Sequence, residues 1–197
     1  MQSAIPIREG RLGASESAVG NALTGKFMTF KLADEEYGLA ILNVREIIGL
    51  MEITRVPRTK SFIRGVINLR GKVIPVVDLR CKFGMERIEA TEQTVIIVVQ
   101  CDHGESTLTM GILVDEVLEV LNIEASQIEP SPDFGVGASD TSFILGIGRA
   151  DKRVIFLLDI ARVLTVQDRD AIDATERKGP GVDGKREPRP VTENSRR

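Results

Sequence analysis

Residues 62–80 read Phe-Ile-Arg-Gly-Val-Ile-Asn-Leu-Arg-Gly-Lys-Val-Ile-Pro-Val-Val-Asp-Leu-Arg. The stretch opens as a short apolar turn, Phe62 to Leu69, and breaks at Arg70-Gly71. An apolar run follows, Val73 to Val77, rich in β-branched residues. After a glycine turn, such a run predicts a strand buried on both faces. Asp78 then offers a carboxylate to the first free N–H groups of a helix. Leu79 and Phe83 give that helix a narrow apolar stripe, and Gly84 falls where a left-handed C-cap belongs.

The same unit occurs again. Phe143-Ile144-x-Gly146 repeats Phe62-Ile63-x-Gly65, and Val154-Ile155-x-x-x-Asp159-Ile160 repeats Val73-Ile74-x-x-x-Asp78-Leu79. The offset is constant at 81 residues (143 − 62 and 159 − 78). A second register of 73 (130 − 57) links the upstream segments. It sets Gly38, Val44, Glu46 and Pro57 on Gly111, Val117, Glu119 and Pro130. Glycines and aspartates agree as well as apolar positions, which points to an internal duplication.

The chain has 197 residues, 42% hydrophobic and 28% charged, with no Trp and one Tyr. The core must therefore come from Ile, Val, Leu and Phe. A net charge of −3 predicts no basic face for nucleic acid. No apolar run reaches the roughly 20 residues of a membrane helix. The start lacks the plan of a signal peptide, so the expected location is cytoplasmic. Cys81 and Cys101 are isolated and expected to be reduced and packed.

Residues 1–25 are rich in Gly, Ser and Ala and are expected to be a mobile arm. Lys26 to Ile41 predicts a hairpin with its turn at Asp34-Glu35-Glu36. Met28, Phe30 and Leu32 would form the apolar face, Thr29 and Lys31 the wet one. Three consecutive acids without further ligand-spaced partners read as a solvated turn, and no metal is expected. Ile41, Val44, Arg45 and Ile48 share a helical face, so Ile41 to Ile48 predicts a helix ended by Gly49. Ile53 to Val56 predicts a short strand closed by Pro57. Thr94 to Cys101 is a nearly pure β run, followed by a turn at 102–105 and a return strand, Thr107 to Val114. Val117 to Ile123 continues as strand. A glycine-rich loop around Phe134 leads to the second copy of the unit. Its closing helix, about 159–165, sets Ile160, Val163 and Leu164 on one face. Residues 167–197, Gly- and Pro-containing with mixed charges, cannot offset their ordering entropy and are expected to be a disordered tail.

These elements predict a mainly β protein of two small barrels in tandem, about 26–80 and about 94–158. Halves of about 70 residues are marginal alone, so they should share an apolar interface.

A search for reactive chemistry returns little. His103, the single histidine, sits in a turn without the neighbours of a triad or a zinc site. Gly146-x-Gly148 begins like a dinucleotide loop, but Asp151 stands at the third glycine and would repel a pyrophosphate. Asp115 and Glu116 are adjacent and should diverge. No catalytic residue and no cofactor is expected. Two charges stand in odd places: Arg70 between two apolar segments, and Glu46 beside an apolar face. Each is simply solvated, or they pair with each other or with a partner at a semi-apolar groove.

Phe30-x-Leu32-x-x-Glu35-Glu36-Tyr37-Gly38 followed by Ile41-Leu42-x-Val44-x-Glu46-Ile47 resembles the start of the CheW family of chemotaxis coupling proteins. So do Asn68-Leu69-Arg70-Gly71 with Ile74-Pro75-Val76-Val77-Asp78-Leu79-Arg80, and Gly111-Ile112-x-Val114-Asp115-x-Val117. The resemblance covers about residues 26–166. It implies two intertwined five-stranded SH3-like barrels with a shared core. It also implies a non-catalytic adaptor that binds the cytoplasmic tips of methyl-accepting chemoreceptors and the regulatory domain of the histidine kinase CheA, at receptor arrays on the inner membrane. Related pathways of surface motility use the same family and stay open as an alternative. Carried over by position, Val44, Glu46 and Arg70 match residues implicated in receptor and kinase coupling. Ile41 and Ile47 are candidate groove residues. Gly65 matches a sensitive glycine, and with Gly71 it is expected to serve the turn. The resemblance leaves both tails unexplained. No receiver-like segment and no kinase domain accompanies the core.

Overall fold

The computed structural model describes residues 23–103, 106–131, 142–164 and 168. The expected N-terminal arm before Leu23, Phe134 with its expected loop, residues 104–105 of the expected 102–105 turn and the expected C-terminal tail apart from Asp168 lie outside them. Eleven strands are described: β1 Gly25–Leu32, β2 Glu35–Ala40, β3 Val44–Gly49, β4 Ile63–Leu69, β5 Lys72–Asp78, β6 Val95–His103, β7 Ser106–Val114, β8 Glu116–Ile123, β9 Ile128–Pro130, β10 Ile144–Ala150 and β11 Arg153–Leu158. Two one-turn helices follow the repeated hairpins, α1 Leu79–Lys82 and α2 Ile160–Val163.

The repeated unit is a bulged hairpin capped by an aspartate. β4 pairs antiparallel with β5, and the register slips between Ile63 and Gly65. β10 pairs with β11, and the register slips at the matching place, between Ile144 and Gly146. Residues 62–69 are therefore mostly strand rather than an apolar turn. Ile63, Gly65 and Ile67 are buried in alternation, the two-residue period of a sheet. The turn lies at Arg70 and Gly71, both at positive φ (53° and 83°), and Gly71 N–H donates to Asn68 Oδ1 at 2.9 Å. Asp78 N–H donates to Phe62 O at 2.8 Å, and Asp159 N–H donates to Phe143 O at 2.8 Å. Each aspartate then caps its helix: Asp78 accepts from Cys81 N–H at 3.1 Å, and Asp159 from Ala161 N–H at 3.0 Å.

The strands form two sheets, in the orders β8-β1-β2-β11-β10-β9 and β3-β6-β7-β5-β4. They match strand for strand, and each contains one parallel contact, β2 with β11 and β7 with β5. Pro75 sits in β5 just before the pairing with β7 begins at Val76, so its missing N–H breaks no rung on that side. The six-stranded sheet exceeds the expected five because β9 is added; its counterpart in the other sheet is the single bridge Thr54–Val66. Of the expected strand Ile53 to Val56, this bridge is all that forms.

The protein is thus mainly β, with two SH3-like barrels. They do not divide the chain at 26–80 and 94–158. The first hairpin, β1–β2, joins the barrel of β8 to β11, while β3, β4 and β5 join β6 and β7. Parallel neighbours need a long connection: β2 reaches β11 through a stretch that includes the whole of the other barrel, and β5 reaches β7 through α1 and β6 of its own sheet.

Three apolar clusters follow from this exchange. One lies within the five-stranded barrel, built on Ile67, Ile74, Val76, Ile96 and Val98. One lies within the six-stranded barrel, built on Phe27, Ile123, Ile128, Ile155 and Leu157. The largest joins both, with Phe30, Leu39, Val77, Ile97, Ile112 and Leu158 among its members. β6 shows why an uninterrupted apolar run is needed. Ile96 and Val98 face its own barrel, whereas Ile97 and Val99 face the shared core.

Two local expectations are corrected. The first concerns β1. Its turn is Ala33-Asp34, with Ala33 at φ 54°, and Glu35 and Glu36 are already in β2. Thr29 is fully buried rather than wet. β8 covers it, the register slips between Met28 and Phe30, and Thr29 Oγ1 donates to Glu119 O at 3.0 Å. The second concerns Ile41 to Ile48. A single 3-10 turn, Ile41–Asn43, gives way to β3, where Val44, Glu46 and Ile48 are half-buried and Arg45, Ile47 and Gly49 are exposed. The helical spacing of Ile41, Val44 and Ile48 is equally that of one turn followed by alternation. The distant partner β6 (Val44 opposite Val99) decides between them.

Tyr37 sits among Phe30, Phe83 and Phe156, with ring centroids 5.5–5.9 Å away. Burial first, and Glu35 second, push its hydroxyl up to about 12. The phenol is neutral in the folded chain at a pH where an unfolded chain would ionise it. Its contribution to stability is therefore complete below about pH 10 and is lost as pH rises towards about 12. Because Tyr37 is the single tyrosine, a spectrophotometric phenolate titration reads it directly. The expected midpoint is near 12, with melting temperature falling over the same window. A reversible midpoint near 10 in the folded protein would contradict this.

Candidate functional site

β3 and β4 are the two edge strands of the five-stranded sheet. Glu46 projects from β3, and Arg70 stands in the turn after β4. The structure joins them: Arg70 Nη2 donates to Glu46 Oε2 at 2.7 Å. The contact spans from one edge of the sheet to the other as the barrel curls. Glu46 is mostly covered, at 26% exposure, and Arg70 is open, at 78%. A pair so exposed on one side contributes at most about 1 kcal/mol to stability. The guanidinium keeps donors free for a second acceptor.

The apolar candidates divide. Ile41 and Val44 are partly buried and pack on the shared core. Ile47 points outward and is 44% exposed. Leu42, at 87%, and the half-open Leu50 and Met51 add exposed apolar surface on the segments flanking β3. Large exposed side chains grouped with a fixed charge are what a protein-docking surface needs. Leu42, Leu50 and Met51 were not singled out by sequence reasoning, because exposure of an apolar residue leaves no mark in a periodicity.

Of the two turn glycines, Gly71 is in the Arg70-Gly71 turn, with open space where a Cβ would stand. Gly65 is not in a turn. It lies inside β4 at φ 143°, and a Cβ there would sit 2.1 Å from Thr54 O. Its role is to let the 54 segment approach the strand.

The other barrel carries a matching device. Glu119, the counterpart of Glu46 in the 73-residue register, accepts from Arg153 Nη2 at 2.7 Å. Arg153 also faces Glu36 at 3.4 Å. Val120 on β8 and Val154 on β11 are exposed. The register marked Glu119, but the arginine comes from the strand after the turn rather than from the turn itself, so sequence matching passed over it.

Residues weighed for chemistry have other employment. Asp115 Oδ2 accepts from Ala33 N–H at 2.7 Å and from Arg80 Nη1 at 2.5 Å, tying the tip of the β1–β2 hairpin to α1. Glu116 turns the other way, towards Lys31 and Gln93. Burial, then the Asp78 carboxylate, raise the Cys81 thiol above its ordinary range, which makes it a poor nucleophile. The side chain of His103 lies outside the described residues. Among the described residues no group of three His, Cys, Asp or Glu could hold a metal ion. No helix among them is long and apolar enough to cross a membrane.

Fold and site together define a double SH3-like barrel with an ion pair and exposed apolar side chains on its rim. The CheW-like domain model matches residues 26–168, and the chain belongs to that family. It is 38% identical over 162 residues to the chemotaxis protein CheW of Klebsiella aerogenes, covering 82% of this chain and 95% of the relative. It is 36% identical over 148 residues to the chemotaxis protein CheW of Rhizobium meliloti, covering 74% and 91%. The crystal structure of the scaffolding protein TtCheW from Thermoanaerobacter tengcongensis superposes with a TM-score of 0.65 at 38% identity, covering 74% of this chain and 96% of that one.

Proposed function

We propose that the chain is a non-catalytic adaptor that couples methyl-accepting chemoreceptors to a CheA-type histidine kinase in a chemosensory array, at the cytoplasmic side of the inner membrane. The observation that carries this is the shared core. Phe30 and Leu39 from one barrel and Ile97 and Ile112 from the other belong to one buried cluster, so the barrels cannot shift independently. A displacement imposed at one docking surface is therefore delivered to a partner held at another. Val44, Glu46 and Arg70 form the coupling surface in this reading, with Ile41 and Ile47 beside it. The individual contacts are small and weak, and multivalency in the array supplies cohesion.

The direct test is a pull-down with a purified kinase and a receptor cytoplasmic fragment. Addition of the chain is expected to bring kinase down with immobilised receptor, in proportion to the chain added. Kinase recovery unchanged by the chain would overturn the adaptor reading.

A further inference from the structure

A cavity of about 400 Å3 opens beside β4 and is walled by four cations, Arg55, Lys60, Arg64 and Arg87, over the apolar Ile53 and Ile63. Its charge is not balanced from within. Arg64 and Arg87 both face one carboxylate oxygen, Asp78 Oδ2, at 3.7 and 3.9 Å. These distances exceed a hydrogen bond, so the guanidinium donors remain available to other acceptors. The other oxygen of Asp78 is occupied by the α1 cap. Lys60 contacts Asp168, but Lys82 shares that carboxylate at 2.8 Å. Among the described residues Arg55 forms no ion pair.

The backbone beside the cavity shows what shape of ligand fits. In the six-stranded sheet, β9 lines the edge of β10 over three paired residues. In the other sheet only Thr54 bridges to β4, at Val66, and no strand continues the pairing towards Arg64. The chain leaves the sheet at Arg55, and the cavity fills the space. The cations come from three separate stretches: 53–55, 59–64 and 87. Carboxylates spaced along an extended segment match that spread better than one compact anion.

We propose that this cavity receives an extended acidic segment of a protein partner, its carboxylates meeting Arg55, Arg64 and Arg87. The site rests on the adaptor reading and adds to it a second surface, selected by charge and separate from the Glu46–Arg70 pair.

The probe is a fluorescein-labelled hexaglutamate peptide titrated into the full-length protein, with hexaglutamine as the neutral control. Hexaglutamate is expected to bind saturably and more weakly as salt rises, and hexaglutamine not at all. Arg55→Gln with Arg87→Gln should weaken binding about tenfold, as loss of two partly exposed charge contacts implies. Arg64 is left intact because, at 27% side-chain exposure against 54% for Arg87, it is the more buried of the two arginines that face Asp78. Arg55→Gln alone, which touches no internal partner, should weaken binding in the same direction and guards against misfolding of the double variant. Equal affinity in wild type and both variants would overturn the site. So would tripolyphosphate binding there more tightly than hexaglutamate, which would make it a compact-anion site. Either failure leaves the adaptor reading intact, because that reading stands or falls on the kinase–receptor pull-down.

Discussion

Gly65→Ala is expected to destabilise the fold by about 3 kcal/mol or more, from backbone strain plus a steric clash that cannot relax cheaply. The added methyl would meet Thr54 O at 2.1 Å and Thr54 C at 2.8 Å, both backbone atoms. Thr54 is itself held by two hydrogen bonds of 2.9 Å to Val66, so it yields only by breaking the bridge. A melting temperature lower by about 10 °C is the expected reading for a domain of this size. Gly71→Ala supplies the contrast. Its φ of 83° also disfavours an L-residue, but nothing lies within 4 Å of the new Cβ. The cost there is about 1 kcal/mol, from left-handed backbone alone. Equal melting temperatures for the two variants would show that the Thr54 contact is unimportant.

Arg70→Glu is expected to leave the fold intact and abolish most receptor-dependent kinase activation. The side chain is 78% exposed, so its loss removes little packing. Reversal sets two carboxylates against each other where a 2.7 Å ion pair stood, and presents negative charge to any partner that the guanidinium met. Reversal of a charge at a docking centre costs several kcal/mol, so activation should fall at least about tenfold. Melting should stay within about 1 kcal/mol of wild type. A double-mutant cycle with Glu46→Ala separates pairing from independent action, since strict additivity would mean that the two residues do not act together. Full activation by a folded Arg70→Glu protein would remove Arg70 from the coupling surface.

Much of the architecture was legible because it is local and occurs twice. The Phe-Ile-x-Gly opening, the Val-Ile strand and the capping aspartate recur at a fixed offset, and Asp78 and Asp159 do the same thing in both copies, whereas the strand pairing of residues 63–69 was not legible. The shared core was legible in the apolar runs Val73 to Val77 and Val95 to Val99, which leave no polar face for solvent. β3 was read as a helix because Glu46 interrupts its apolar alternation, while its partner strand lies some 50 residues on. The division into barrels failed for a related reason. Which hairpin pairs with which is decided by long-range contacts, and two copies of one pattern offer each hairpin two equivalent partners. For the site, residue matching marked Glu46 and Arg70 separately. Only the curl of the sheet, which closes 24 positions of chain into one contact, joins them.

The exchange of hairpins also governs how the molecule can come into being on the ribosome. β2 waits for β11, so the barrel that begins the chain is the last to close, after Leu158 has emerged. A nascent chain released before that point exposes the edge of β2 and half of the common core. Such a topology, rich in contacts between distant residues, slows folding and makes truncated or half-length products sticky rather than merely inactive.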